Sequence, residues 1–276
     1  MGYIDINNLQ LNNYKLSFQM EKGFIYGIYG KRHDDISELL KKISGINPNN
    51  QTCLKNDKDI FDNKDYFRER IYLDLSKKMV ETLNDKTIKE NLKSRYNAVF
   101  NEKEYKRLVN LLNIRSEITI KQNYSFTDLG NNLTSFAIYS SLDYDVSFID
   151  NPLYYLPKYD NRREIIVKEL TNKRKHNLVM LDASSIEDFQ DVLDYVVLFG
   201  DYEEAFLINP KEDKFIICDD YLTLKKRLFK KDNMVIILND MNKEEYKSFK
   251  KEIKKYKEID FKGLLSIIKS EGSWPR

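Results

Sequence analysis

The segment FIYGIYGKRHDDISELLKKISGI, residues 24–46, constrains the fold more than any other part of the sequence. Residues 24–29 are apolar enough for a buried strand, and Gly30 then begins a tight turn. Apolar residues recur at helical spacing between positions 36 and 43, and Gly45 predicts the C-terminal cap of that helix. A strand that turns directly into a helix begins a βα unit, so the segment favours an α/β fold.

Strands and helices alternate along the chain as far as about residue 209. The strands at 146–149 and 178–181 are apolar on both faces, as central strands of a parallel sheet are. Region 84–120 has helical patterns without a strong strand, which predicts a helical insertion. Further strands are predicted at 3–6, 15–20, 71–75, 196–199 and 205–208, and helices at 102–112, 131–142, 161–173 and 186–193.

After Pro210 the pattern restarts in what we predict to be a small α/β appendage. The segments KFIICDD and MVIILND predict strands, with a helix at 222–230 between them and a charged helix at 243–257 after them. We therefore predict a first domain over residues 1–209, which includes a helical subdomain at about 84–142. Residues 210–276 form the predicted C-terminal extension.

The charge balance argues against a polyanionic partner. The 46 basic and 44 acidic residues nearly cancel, so the net charge of +2 creates no general attraction to nucleic acid or to an anionic membrane. The basic runs KKRLFKK and KKEIKKYKEI mix signs at helical spacing, which indicates solvated helix faces. We expect no nucleic-acid partner.

Targeting and cysteine patterns predict a cytoplasmic protein. No apolar run approaches the roughly 20 residues that a membrane helix needs, and the N-terminus lacks a signal-peptide pattern. Cys53 and Cys218 lie far apart, without the spacing of a metal or redox motif. We expect contact with a membrane only through a partner, at the inner face of the cell membrane.

The order of elements from residue 3 to about residue 208 resembles that of the ATP-binding subunits of ABC transporters. The tail IDFKGLLSII resembles the C-terminal extension of their antibiotic-exporter type. The resemblance implies a P-loop NTPase-like fold of the α/β class, with a mainly parallel central sheet and antiparallel N-terminal strands. It also implies a helical insertion and the small C-terminal α/β appendage.

In that family a phosphate-binding loop G-x-x-G-x-G-K-[ST] precedes an apolar helix that closes on Ser-Gly. Here the segment from Gly30 to the closing Ser44-Gly45 matches this frame without a gap. The frame survives, whereas the residues that bind phosphate do not. The resemblance assigns Gly30 to the first glycine, His33 and Asp35 to glycine positions, Ile36 to the lysine and Ser37 to the magnesium-binding hydroxyl.

The charge of this loop is also reversed. Phosphate binds such a loop through backbone N–H groups, a helix N-terminus and the lysine, whereas Asp34 and Asp35 place carboxylates at the same end. Like charges about 4 Å apart repel by roughly 4 kcal/mol at an effective dielectric near 20, about half the free energy of micromolar binding. We expect these carboxylates to cap the helix and ATP with magnesium to bind weakly at most. A phosphate site rebuilt with Lys31 and His33 is the alternative.

Two other motifs of the family are altered. The family signature L-S-G-G-Q falls on FTDLGNN, with Thr127 at the serine, Leu129 in place of a glycine and Gly130 retained. The glutamine expected after the strand at 71–75 has no candidate, because no glutamine occurs between Gln51 and Gln122.

The segment VSFIDNP carries the remaining catalytic positions. The resemblance places Asp150 at the magnesium aspartate and Asn151 at the catalytic glutamate, while Ser184 falls at the switch histidine. An amide cannot take a proton from water as a carboxylate can. His176 precedes the strand at 178–181, and we expect it in an exposed turn.

The resemblance, together with the altered phosphate loop, signature and catalytic positions, predicts a pseudo-ATPase rather than an enzyme. No cofactor is expected. Its role would be that of a noncatalytic or regulatory subunit of a membrane exporter. The implied partners are an ABC permease and an active ATPase subunit, in a heterodimer, or a second copy of this chain. Two alternatives remain open: a stand-alone interaction or immunity protein, and an active nucleotide enzyme that uses Lys31, Ser37 and Asp150.

His33 beside Asp34 and Asp35 also has the composition of a metal cluster. Side chains that are adjacent at a helix start seldom converge on one ion, and the sequence shows no further ligand group near them. We therefore expect a capped helix rather than a metal site at this position.

Overall fold

The computed structural model describes residues 3–77, 100–119, 125–201, 205–219, 227–231 and 234–270. The elements up to the helical insertion are β1 (Ile4–Leu11), β2 (Tyr14–Met20), β3 (Ile25–Tyr29), α1 (His33–Ile43), β4 (Cys53–Lys55), β5 (Lys58–Asp59), α2 (Lys64–Glu69) and β6 (Arg70–Asp74). The insertion and central region contain α3 (Glu102–Leu111), a 3₁₀ turn (Ile114–Glu117), β7 (Ile118–Thr119), β8 (Ser125–Phe126), α4 (Asp128–Ser140), β9 (Val146–Asp150) and α5 (Arg162–Lys173). The remaining elements are β10 (Leu178–Asp182), α6 (Ile186–Phe189), β11 (Tyr195–Phe199), β12 (Ala205–Ile208), β13 (Phe215–Asp219), β14 (Arg227–Lys231), β15 (Met234–Leu238), α7 (Lys243–Glu252), β16 (Tyr256–Ile259) and α8 (Phe261–Ser270).

A six-stranded sheet forms the centre of the molecule, with the order β12-β11-β3-β10-β9-β6. Its neighbouring strands are parallel except for the antiparallel pair β11 and β12. β3, β9 and β10 are buried along their whole length, because both faces of the sheet are covered. The mainly parallel sheet predicted from the sequence is confirmed.

The antiparallel N-terminal strands are also confirmed. They form a four-stranded sheet in the order β2-β1-β4-β5, in which all pairs are antiparallel. This sheet and α1 pack against one face of the central sheet through a common apolar cluster that includes Ile6, Leu40, Phe148 and Met180. The cluster holds the start of α1 above the ends of the central strands.

The opposite face is covered by helices α4 and α5 and by the C-terminal region. Their side chains share a second apolar cluster with the central strands, as Phe136, Ile166, Leu181 and Leu264 illustrate. The helical insertion lies partly within residues 78–99 and 120–124, outside the described residues. Its described part adds the short hairpin β7–β8, which the sequence pattern did not predict.

The C-terminal region contains a four-stranded antiparallel sheet in the order β14-β15-β13-β16. The prediction of a helix at 222–230 is wrong for its described part, because β14 occupies Arg227–Lys231. Leu228 and Phe229 are buried there, and pairing with β15 overrides the local pattern. The predicted helix at 243–257 is too long, since α7 ends at Glu252 and β16 then pairs with β13.

The prediction that the two basic runs form solvated helix faces is wrong for most of their described residues. The described part of KKRLFKK lies in β14, and only the first three residues of KKEIKKYKEI belong to α7. The predicted helix at 186–193 is likewise shorter, because α6 ends at Phe189.

The C-terminal sheet meets the central sheet closely at the end of β11. Gly200 follows β11, and a Cβ atom on it would overlap the carbonyl oxygen of Leu228 in β14. The backbone N–H of Asp201 donates to that same carbonyl at 2.7 Å. Only glycine fits this approach without displacing one of the two backbones.

Gly45 ends α1 as predicted, with a φ of +73° that L-residues other than asparagine and aspartate seldom adopt. A Cβ atom here would also lie 3.0 Å from the carbonyl oxygen of Ile60. The backbone conformation at Gly45 and its close approach to Ile60 therefore explain why a glycine follows Ser44 at the end of α1.

We expect Gly45→Ala to lower the free energy of unfolding by about 1–2 kcal/mol, because it forces a left-handed backbone on alanine. Chemical denaturation followed by circular dichroism would measure the loss. Gly45→Asn is the matched control, since asparagine tolerates this conformation while placing a Cβ at the same point. Equal losses in both variants would show that the Ile60 contact, and not φ, dominates.

Candidate functional site

The candidate site lies where β3, β10 and β9 end, at one edge of the central sheet. These three strands are adjacent and parallel, so the residues that follow them come together. Open α/β sheets bind ligands at this carboxyl edge. Here the edge brings together the start of α1, the end of β9 and the end of β10.

Asp150, the last residue of β9, is completely buried. Its Oδ2 atom accepts hydrogen bonds from the hydroxyl of Ser37 at 2.6 Å and from that of Tyr72 at 2.9 Å. Burial raises the pKa of Asp150 above its ordinary value, and these two hydroxyls oppose the rise. The sequence placed Ser37 and Asp150 in one site, and the structure brings them into direct contact.

Asp182, the last residue of β10, is a second buried carboxylate in the site, with 3% of its surface exposed. Its Oδ1 atom accepts from the backbone N–H of Ser184 at 2.8 Å and from the Ser184 hydroxyl at 2.5 Å. Its Oδ2 atom faces His33 at 3.3 Å. Ser184, at the switch-histidine position, thus holds a carboxylate in place.

His33 is the side chain that joins these groups. Its Nε2 atom lies 2.7 Å from Oδ1 of Asn151 and 3.4 Å from Oδ1 of Asp150. Contact with the Asp182 carboxylate raises the pKa of His33 to about 9, against the opposing effect of its partial burial. At neutral pH the imidazole is therefore a cation between two buried carboxylates.

Asn151 occupies a left-handed backbone conformation with a φ of +55°. Asparagine adopts this region more readily than most residues, including glutamate. Its Nδ2 atom donates to Asp150 Oδ1 at 3.3 Å and to Asp74 Oδ1 at 3.4 Å, which leaves Oδ1 directed at His33. At this position the side chain orients the imidazole and has no basic group.

Two further positions of the loop, Ile36 and the retained Gly30, are used for packing. Ile36, at the lysine position, is fully buried in the apolar cluster beneath α1. Gly30 lies against the ring of Phe199, which is 3.0–3.3 Å from the point where a Cβ would sit. A side chain buried at position 36 cannot reach a phosphate.

The expectation that Asp34 and Asp35 cap α1 is wrong. The cap position is Arg32, which makes no capping hydrogen bond through its side chain, and both aspartates lie in the first turn. Asp35 is buried and accepts from Nδ2 of Asn12, in the turn between β1 and β2, at 2.5 Å. Both positions still favour negative charge near a helix N-terminus.

Lys31 is directed toward the end of β11, which lies on the other side of β3 from β10 and β9. Its ammonium group forms an ion pair with Asp201, just beyond β11. The carboxylate of Asp201 also accepts from the backbone N–H of Lys230 in β14, at 3.2 Å. Lys31 is thus tied to the C-terminal sheet.

The signature positions lie at the start of α4. The hydroxyl of Thr127 caps this helix by accepting from the backbone N–H of Gly130 at 3.0 Å, and Leu129 packs against the larger apolar cluster. These residues are not among those that line the cleft beside His33. His176 lies in an exposed turn, as expected.

A cleft of about 490 Å³ opens beside the site. His33, Asn151, Asp182 and Ser184 form part of its wall, and the segments 152–158 and 184–189 complete it with Arg163 and Lys269. The His33 side chain is 42% exposed, so solvent reaches the imidazole through this cleft.

Sequence reasoning missed Asp182, Tyr72 and Asp74. Asp182 ends an apolar strand whose predicted limits stopped at residue 181, and no motif marked it. The available signal was an aspartate directly after a central strand, as at Asp150, because neighbouring parallel strands end at the same edge of a sheet.

The comparisons with known proteins bear on the fold. No family model matches the sequence, and the search of curated proteins found no similar sequence. Among solved structures, cbiO1 from Clostridium perfringens, part of the ABC transporter complex cbiONQ, is similar with a TM-score of 0.55 and 14% identity. The match covers 76% of this chain and 90% of that one. A structure described as the ATP binding subunit of an ABC transporter has a TM-score of 0.56 and 14% identity, covering 75% and 90%.

These similarities show that the chain has the fold of ABC-transporter ATP-binding subunits. The fold class predicted from the sequence is confirmed. At 14% identity the similarity shows the fold and not an activity.

We expect Ser37→Ala to lower the free energy of unfolding by about 1.5–3 kcal/mol, because it removes a donor to a buried carboxylate. Ser44→Ala is the matched control. Ser44 is also buried, directly after α1, but its hydroxyl donates to the neutral carbonyl of Lys41 at 3.0 Å, which predicts a loss of about 1 kcal/mol or less. Urea denaturation compares the two variants, and equal losses would contradict a charged acceptor at Asp150.

Proposed function

We propose that this protein is a noncatalytic or regulatory subunit of an ABC-type membrane exporter that neither hydrolyses ATP nor binds it tightly. The observation that carries the proposal is the position of His33. Its imidazole lies among Asp150, Asp182 and Asn151, so a cationic side chain of this chain already faces the two carboxylates at the strand edge. A nucleotide with magnesium would have to displace this arrangement.

The loop has few groups that could bind the phosphates of such a nucleotide. Ile36 is buried where a lysine would bind phosphate, and Lys31 is paired with Asp201. Asp35 adds a buried carboxylate in the first turn of α1, where a phosphate would otherwise meet the helix dipole. These contacts also weigh against a phosphate site rebuilt from Lys31 and His33.

A group that could activate water is also missing at the positions that the resemblance assigns to the catalytic glutamate and the switch histidine. Asn151 holds the imidazole through its amide, and Ser184 donates both of its hydrogen bonds to Asp182. Neither residue is a general base at neutral pH. The pseudo-ATPase assignment therefore rests on what these side chains bind as well as on their identity.

The transporter role comes from the fold. A solved neighbour is part of an ABC transporter complex, which suggests a permease and an ATPase subunit as partners for this chain. Among the described helices, none combines the length and apolarity required to cross a bilayer. We place the protein in the cytoplasm, at the inner face of the membrane through its partner, and the antibiotic-exporter type is retained from the C-terminal extension.

Isothermal titration tests the nucleotide part of the proposal. We expect Mg-ATP and Mg-ADP to give no saturable heat below millimolar concentration, because Ile36 is buried at the lysine position and Lys31 and His33 already face carboxylates of the chain. A conventional ABC ATPase subunit titrated in parallel serves as the positive control. Asn151→Glu alone is expected to produce no ATP hydrolysis in a phosphate-release assay. Micromolar binding by the wild-type chain would refute this part of the proposal.

Affinity purification from membranes of the native host tests the transporter part. We expect the tagged chain to retain a multispanning permease, identified by mass spectrometry, together with an ATPase subunit that has an intact phosphate loop. By the family resemblance, the permease contacts the helical insertion. Leu111, an exposed apolar residue at the end of α3, marks its described surface.

Leu111→Glu should therefore abolish retention of the permease. The control is Met234→Glu in β15, which changes another exposed apolar side chain, on the C-terminal sheet. Retention that survives Leu111→Glu would argue against the insertion as the contact, and absence of any permease with the wild-type chain would argue against the transporter role.

A further inference from the structure

We propose that His33, Asp150 and Asp182 form a binding site for a divalent transition-metal ion, with Zn²⁺ as the best-fitting ion. The site goes beyond the proposed transporter role and does not depend on it. Its three ligands come from three different elements, the start of α1 and the ends of β9 and β10.

The two distances from His33 fit coordination of a common ion. Nε2 of His33 lies 3.4 Å from Oδ1 of Asp150 and 3.3 Å from Oδ2 of Asp182. Ligand atoms about 2.0–2.1 Å from a tetrahedral Zn²⁺ are separated by roughly 3.3–3.4 Å. All three ligand atoms lie within 4.8 Å of one another. An ion at this point takes the place of the Nε2 proton, which leaves for solvent.

Hydrogen bonding alone does not account for this arrangement. A single N–H at Nε2 faces three oxygen atoms, and the shortest distance, 2.7 Å, is to the amide oxygen of Asn151. The two carboxylate oxygens lie beyond the usual 2.7–2.9 Å of a charge-assisted hydrogen bond. They converge on the imidazole as ligands of a shared cation do.

Each carboxylate is also held by its other oxygen. Ser37 and Tyr72 donate to Oδ2 of Asp150, and Ser184 donates twice to Oδ1 of Asp182. The oxygens directed at His33 are Oδ2 of Asp182 and Oδ1 of Asp150, and the latter also accepts from the Asn151 amide at 3.3 Å. Metal sites are typically built in this way, with outer hydrogen bonds that orient the ligand atoms.

The charge and the access path favour an ion as well. Two carboxylates that are 0% and 3% exposed carry more negative charge than one imidazolium balances. The cleft of about 490 Å³ reaches His33, Asp182 and the Asn151 amide, so an ion can enter from solvent. A fourth ligand would be the Asn151 amide oxygen or a solvent molecule from the cleft.

The donor set selects the class of ion. One imidazole nitrogen with two carboxylate oxygens suits Zn²⁺, whereas Mg²⁺ and Ca²⁺ prefer oxygen ligands alone. The earlier expectation of no metal at His33 considered only Asp34 and Asp35. The structure supplies different partners from distant parts of the chain.

The test is titration of the full-length, chelator-treated protein with ZnSO₄, without nucleotide or partner, by isothermal calorimetry and competition with a chelating dye. We expect one Zn²⁺ per chain with micromolar or tighter affinity. His33→Ala and Asp182→Asn should each weaken binding at least tenfold. Co²⁺ should give the intense visible bands of a tetrahedral site with nitrogen and oxygen ligands.

Two controls locate the ligands. His176→Ala removes the only other histidine of the sequence, and Asp34→Asn removes an exposed carboxylate next to His33. Both variants should bind Zn²⁺ like the wild-type chain. Circular dichroism and melting in chelator establish whether each variant is folded, and Asp182→Asn tests the site independently of His33→Ala.

Absence of stoichiometric Zn²⁺ binding by the folded wild-type chain would overturn the proposal, as would binding that His33→Ala leaves unchanged. Mg²⁺ or Ca²⁺ binding that needs only the aspartates would also overturn it. Because the assay contains no ATP and no permease, its failure leaves the proposed subunit role untouched. If the subunit role fails its own tests, the Zn²⁺ titration still decides whether the metal site exists.

Discussion

Two buried carboxylates at the ends of neighbouring strands determine how this sheet edge is organised. A buried charge needs a counter-charge and hydrogen bonds, or it destabilises the fold by several kcal/mol. Asp150 and Asp182 obtain their hydrogen bonds from Ser37, Tyr72 and Ser184. These donors lie on α1, on β6 and after β10, so electrostatics at one point fix the relative positions of three elements. His33 then adds positive charge from the loop.

The loop keeps its shape for reasons that do not involve phosphate. Gly30 fits against the ring of Phe199, Ile36 anchors the first turn of α1 in the apolar cluster, and Gly45 closes the helix with a left-handed backbone. Each of these contacts is made within the chain. The strand-turn-helix arrangement is therefore maintained by packing and backbone geometry within the chain.

Local patterns were sufficient for the central elements of the fold. Apolar runs identified the central strands, helical spacing identified α1, and glycine chemistry identified its end. Spacing within the family frame also placed Ser37 and Asp150 in one site. Asp182 could not be found this way, because its importance arises from a parallel neighbour in the sheet. β14 and β16 were missed for a related reason, since burial of Leu228 and Phe229 and pairing with β13 and β15 outweigh helical charge spacing.

The ion pair between Lys31 and Asp201 gives the loop a mechanical connection to the C-terminal sheet. Asp201 is itself bound twice to β14: its backbone N–H donates to the carbonyl of Leu228, and its carboxylate accepts from the N–H of Lys230. A displacement of the loop therefore pulls on a paired strand, and the stiffness of the C-terminal sheet resists it. Conversely, a protein that binds β14 at a distance from His33 would change the mobility of the loop without entering the cleft.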